Sequence, residues 1–112
     1  MSDRFTVRWT QTAVDDLPSI IDDVADRDGS EAAEHLYGQI THGVADLETM
    51  PFRCRVLPEL EAEGIDGYRE SPVGPYRLMF AVRGSEVVLL TVLDGRRDPG
   101  ELLIARALRE RA

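Results

Sequence analysis

The run YRESPVGPYRLMFAVRGSEVVLLTVL, Tyr68 to Leu93, followed by Asp94-Gly-Arg-Arg-Asp98, decides how the chain folds. It reads as three consecutive strands. Pro72-Val-Gly-Pro75 and Arg83-Gly-Ser-Glu86 are turn clusters set between stretches of aromatic and aliphatic residues, the pattern of an antiparallel meander. Side chains alternate between the two faces of a strand. Tyr76, Leu78, Phe80 and Val82 therefore make one apolar face, while Arg77, Met79 and Ala81 make the other, and Arg77 is expected to point away from the core. Arg69 lies in the strand before, and Arg96 and Arg97 follow the strand after. These four guanidiniums are expected to converge at one edge of the sheet.

Upstream of the meander, Phe5, Val7 and Trp9 alternate with Thr6 and Arg8, as in a half-buried strand, with Trp9 as a core anchor. Thr12 then offers a helix N-cap, and Ala13, Leu17, Ile20, Ile21 and Val24 recur at helical spacing. Pro18 interrupts that pattern, since a proline past the first turn costs about 3 kcal/mol. The helix either kinks there or begins near it. Asp28-Gly29 ends it, and Ser30 offers the next cap, with Glu31 and Glu34 near the positive end of the helix dipole. Ala33, Leu36, Tyr37, Ile40, Val44 and Leu47 then mark an apolar stripe that stops at Met50-Pro51. So short a connection predicts an antiparallel helical hairpin, its apolar stripes on the sheet and its outer face acidic.

Residues 51–66 contain two prolines and no sustained period. They read as a crossing loop that tacks Phe52, Val56, Leu57 and Leu60 onto the core. After the meander, Pro99-Gly100 restarts the chain, and Leu102, Leu103, Ile104, Ala107 and Leu108 suit a short amphipathic C-terminal helix. The expected fold is α+β, in the order β-α-α-β-β-β. The helical hairpin packs on a small, mainly antiparallel four-stranded sheet, in one domain spanning residues 1–112.

A chain of 112 residues buries roughly two-thirds of its unfolded surface and folds without staples. No apolar run approaches the roughly 18 residues of a membrane span, and Met1-Ser-Asp-Arg4 lacks a signal-peptide pattern. A cytoplasmic protein is expected. The single cysteine, Cys54, excludes an internal disulfide and fits a reducing compartment. Charge divides unevenly: residues 1–66 hold fifteen Asp/Glu against five Arg, and residues 67–112 hold six against eight, giving −8 in total with no lysine. That balance argues against non-specific nucleic-acid binding, which rests on neutralising phosphates.

Few residues suggest chemistry. His35 and His42 stand seven apart with no third ligand at zinc spacing, and no nucleophile motif or phosphate loop is present. Asp15-Asp16 and Asp22-Asp23 read as a solvated helix face rather than a metal site. Arg69, Arg77, Arg96 and Arg97 remain, and two readings stand. In one they decorate a solvated sheet face and pair with Glu70, Asp94 and Asp98, each pair giving at most about 1 kcal/mol. In the other they form a surface that reads carboxylates or phosphates bidentately, binding without cleaving because no general base accompanies them.

The order Val7-Arg-Trp-Thr10, Asp16-Leu17, Ile20-Ile21, Leu47 with Pro51, Leu57-Pro-Glu-Leu60, Tyr68-Arg-Glu70, Tyr76-Arg-Leu78 and Asp94-Gly-Arg-Arg-Asp98 resembles the ParE/RelE toxin superfamily of type II toxin–antitoxin modules, over about residues 5–98. The resemblance implies the small α+β toxin fold and two possible activities. RelE-like members are ribosome-dependent mRNA endonucleases, and here Arg77 and Arg97 match their two arginines while Arg69 replaces one lysine. Ser71 stands about where another lysine would be, and the tail Pro99 to Ala105 has no tyrosine or histidine for acid-base catalysis, a step worth about 10²–10⁴-fold. ParE-like members poison DNA gyrase by binding it, and the Leu-Pro-Glu-Leu loop and Tyr-Arg-Glu strand are more similar to these.

The expectation is thus a ParE-like plasmid-stabilisation toxin that inhibits gyrase and causes growth arrest. It needs neither cofactor nor metal, and a cognate, ParD-like antitoxin holds it in a hetero-oligomer. Arg69, Arg77, Arg96, Arg97, Leu102 and Leu103 are its candidate partner-binding residues. The alternatives are a RelE-like nuclease carried by Arg69, Arg77 and Arg97, or a non-toxic relic of the fold.

Overall fold

A computed structural model describes residues 4–96 and 100–111, and in the last helix describes side chains for 104–109. Strand β1, Thr6–Trp9, leads into helix α1, Gln11–Asp28. The cap is Thr10 rather than Thr12: its hydroxyl oxygen accepts the Ala13 amide at 3.2 Å and donates to the Leu90 carbonyl at 2.9 Å. Pro18 lies inside α1. It cannot donate to the Val14 carbonyl, but both residues are exposed, so water reaches the freed group. Helix α2, Ser30–Asp46, follows after a single residue. Gly29 ends α1 by donating to the Ala25 carbonyl at 3.0 Å and is also the N-cap of α2, at φ 97°, a conformation open to glycine. Ser30, expected to cap, is instead the first helical residue.

The α2 stripe buries Ala33, Leu36, Ile40, Val44 and Leu47 as the spacing predicts, whereas Tyr37 faces out at 52 % exposure. Trp9 is half-buried against the core rather than sealed within it.

Residues 51–66 are more ordered than a crossing loop. After a 3₁₀ turn at Pro51–Arg53 come strand β2, Arg55–Val56, and helix α3, Pro58–Glu61. The meander supplies β3, Tyr68–Val73, β4, Tyr76–Arg83, and β5, Glu86–Asp94. The sheet has five strands where four were expected, in the order β1-β5-β4-β3-β2. Only β1 is parallel to its neighbour, β5. A two-residue strand has no period to detect, and β2 is fixed by its antiparallel partner β3, Arg55 opposite Glu70 and Val56 opposite Arg69. Leu57 and Leu60 are fully buried, as expected, but Phe52 is 60 % exposed.

The two sheet faces carry separate cores. Tyr76, Leu78, Phe80, Val87, Leu89 and Val92 pack under the α1–α2 hairpin. Met79, Ala81, Val88, Leu90 and Leu93 form a second core with Leu57, Leu60, Ile65 and Tyr68. Helix α4, Gly100–Arg111, closes that face through Ala107, with Ile104 beside it. The meander's second face is therefore mostly buried, with Arg77 at its margin. Where β1 runs out, α1 takes over the open edge of β5: Asp16 accepts the Val92 amide at 3.0 Å and the Thr91 hydroxyl, and Arg106 of α4 reaches the same carboxylate at 2.9 Å. Asp16, expected on a solvated face, instead satisfies backbone that would otherwise be orphaned. Among the described residues no helix is long and apolar enough to cross a membrane.

Candidate functional site

The β3–β4 turn, the residues before β2 and those after β5 meet at one end of the sheet around a cleft of about 750 Å³. Arg53, Arg55, Arg77 and Arg96 line it, with Glu70, Tyr76 and Gly95. Gly95 is needed there, because a Cβ would stand 2.9 Å from the Pro75 carbonyl oxygen and 3.0 Å from the Arg77 side chain. Its own amide donates to that carbonyl at 2.7 Å.

Of the four arginines expected to converge, the three described ones do not all meet. Arg77 and Arg96 share the cleft, but Arg69 stands opposite Phe80 on the hairpin face, while Glu70 beside it stands opposite Met79 on the other. Neighbours along a strand point to opposite faces, so Arg69 and Arg77 cannot meet through one side of the sheet. Arg69 donates to the Cys54 carbonyl at 2.6 Å and lies over the Phe52 ring, 5.2 Å from its centre. Arg97 lies outside the described residues, as do the side chains of Leu102 and Leu103.

The cleft arginines are held by carboxylates. Arg77 donates through Nε to Glu70 at 2.5 Å, and through both terminal nitrogens to Glu59 of α3 at 2.8 and 2.9 Å. Arg55 donates to the second oxygen of Glu70. The side chains of Arg77 and Glu70 are only 13 % and 3 % exposed, so the centre of this locally neutral chain of two cations and two anions is buried, with Arg55 at its exposed end. The forked contact with Glu59 raises the Arg77 pKa further above its ordinary value, and the same contact pulls the Glu59 carboxyl down. Arg96 pairs bidentately with Asp94 at 2.9 Å from each nitrogen and lies 5.9 Å from the centre of the Tyr76 ring. Glu59 was legible only as part of the Leu57-Pro-Glu-Leu60 loop, and nothing in spacing pointed to its pairing with Arg77, whereas Glu70 and Asp94 were among the expected arginine partners.

His35 and His42 are exposed on α2 and line a separate groove of about 630 Å³ against β3. Among the described residues no three His, Cys, Asp or Glu side chains assemble around a point where a metal would sit. Cys54 is half-buried and unpaired, its thiol pushed up by burial.

A helical hairpin on one face of a small meander, one parallel strand closing the sheet and arginines locked to carboxylates at its end define a small α+β protein. Residues 7–99 match the family described as ParE toxin of type II toxin–antitoxin system, parDE, and the chain belongs to that family. Among solved structures it is similar to the chromosomal ParDE toxin–antitoxin system of P. aeruginosa, with 24 % identity over 83 % of this chain and 98 % of that one, at a TM-score of 0.68. It is also similar to the RelBE2 toxin–antitoxin complex of Mycobacterium tuberculosis, with 24 % identity over 81 % and 98 % and a TM-score of 0.54. At such identity these neighbours speak to the fold, and the α+β architecture agrees with theirs. No match was found among curated proteins.

Proposed function

We propose that the chain is a toxin that works by binding: it inhibits DNA gyrase through protein contact, and a cognate antitoxin neutralises it in a hetero-oligomer. The observation that carries this reading is the engagement of Arg77. A nuclease reading assigns that guanidinium to phosphate, yet here three bonds to Glu70 and Glu59 already occupy it. Freeing it for a phosphate means leaving the buried Glu70 carboxylate to the exposed Arg55 alone. The exposed cations at the cleft, Arg53, Arg55 and Arg96, suit contact with protein carboxylates at its rim. Membership of a toxin–antitoxin family and likeness to two toxin–antitoxin systems support the antitoxin partner.

The test is a supercoiling assay with purified gyrase beside a translation extract. Inhibited supercoiling, relieved by the protein encoded next to this gene, is the expected result. Arrested translation with cut mRNA and normal supercoiling would sink the reading in favour of a RelE-like nuclease carried by Arg69, Arg77 and Arg97.

A further inference from the structure

The two carboxylates that hold Arg77 are not equivalent. Glu70 on β3, with its side chain 3 % exposed, takes Nε at 2.5 Å and also holds Arg55. Glu59 on α3, with its side chain 28 % exposed, takes both terminal nitrogens, at 2.8 and 2.9 Å. Turning the Glu59 carboxylate out to water breaks those two terminal bonds and leaves Glu70 with both of its cations. The buried part of the chain of charges stays compensated, and Glu59 is the partner that can exchange.

Two parallel N–H···O bonds from one guanidinium are the geometry by which arginine reads a carboxylate or a phosphate. Glu59 thus occupies the position of an external oxyanion. The Arg77 Cγ and Cδ atoms lie close beside Gly95 at the cleft, whereas Glu59 is not among the residues that line it, so the fork is turned out of the cleft toward α3. The Glu59 carboxyl is held down by the Arg77 fork and, through space, by the charge of Arg55. A group placed where Glu59 stands therefore faces two cations. A phosphate, with up to two charges and three accepting oxygens, gains more from such a pair than a singly charged carboxylate does.

We propose that Glu59 is an intramolecular plug in a phosphate-binding site: its carboxylate holds the Arg77 fork beside Arg55, and once that carboxylate is neutralised or removed the two arginines bind a small phosphate. A long nucleic-acid strand brings one charge per nucleotide into the field of a chain of net charge −8, which favours a small phosphate over a polymer. The assignment is independent of gyrase as the target, so its failure leaves the supercoiling result untouched.

The probe is inorganic pyrophosphate, titrated into the full chain by calorimetry at constant ionic strength. The parent chain should give no saturable heat. Glu59→Gln, which keeps the shape of the side chain and removes its charge, should bind at least about tenfold more tightly than the parent, and Glu59→Ala should show the same gain. Adding Arg55→Ala to Glu59→Gln should cancel most of it. Glu61→Gln is the control: it removes one charge from an exposed position of the same helix and should behave as the parent does. Circular dichroism checks that each variant is folded. Equal titrations of the parent and both Glu59 variants, with or without saturable heat, overturn the proposal, as does an equal gain from Glu61→Gln. So does a gain that survives Arg55→Ala in full, or a short single-stranded RNA that binds Glu59→Gln more tightly than pyrophosphate does.

Discussion

Replacing Arg77 with methionine keeps most of the alkyl stem and removes the guanidinium. The loss is one bond to Glu70 and two to Glu59. Glu70, with its side chain 3 % exposed, is left with Arg55 alone, whose own side chain is 69 % exposed and faces water. Removing one partner of a buried ion pair costs about 3–5 kcal/mol, and the surviving Arg55 contact places this case near the lower end, about 3 kcal/mol. With a urea slope of about 1.5–2 kcal/mol/M for a chain this size, the unfolding midpoint should fall by about 1.5–2 M. Arg96→Met is the control. It also breaks a bidentate pair, but an exposed one, and should leave the midpoint unmoved. Adding Glu70→Met to Arg77→Met should recover most of the loss, since no buried charge then lacks its partner. Urea titrations followed by circular dichroism read all three. If Arg77→Met unfolds with the parent chain, or if Arg96→Met costs as much, the argument from buried compensation fails.

Other consequences are simpler to test. Glu59 has its carboxyl depressed by Arg77, so its contribution to stability is present above the ordinary carboxyl range and lost as pH falls through the lowered value. The parent chain should lose stability below about pH 4.3 more steeply than Glu59→Gln, measured as melting temperature against pH. Gly43→Ala places a Cβ 2.9 Å from the Val73 Cγ2 atom and should cost about 1–3 kcal/mol in chemical denaturation. Gly38→Ala, with nothing within 4 Å of the new Cβ, should instead stabilise by about 0.5–1 kcal/mol. Thr10→Ala removes the α1 cap and the bond to the Leu90 carbonyl, and should cost about 1–2 kcal/mol, whereas Thr12→Ala should change little.

The periodic parts of the fold were readable because burial imposes a period. The meander, the α2 stripe and the hairpin all follow from spacing, and each is present. Boundaries set by single contacts were not readable. Thr10 and Thr12 are equally good caps on paper, and the choice falls to Thr10 because its hydroxyl also reaches the Leu90 carbonyl on β5. Asp16 looked solvated because nothing local shows that β1 ends before β5 does, leaving the Val92 amide to be satisfied. The arginine cluster failed for a related reason. Counting basic residues near one sheet edge ignores which face each takes, and the parity of β3 sends Arg69 and Glu70 apart. Glu70 and Glu59, the carboxylates that decide what Arg77 can do, sit 7 and 18 residues away in sequence.

The parallel pairing of β1 with β5 sets a timetable for biosynthesis. The hairpin can coil as soon as it leaves the ribosome, because its contacts are local, but Val7 and Trp9 find their neighbours Val87 and Leu89 only after nearly the whole chain has emerged. A pairing of such sequence separation is slow to form. A nascent toxin therefore remains an unfinished sheet until its last strand is made, and fragments released early present helices without the platform that orients them.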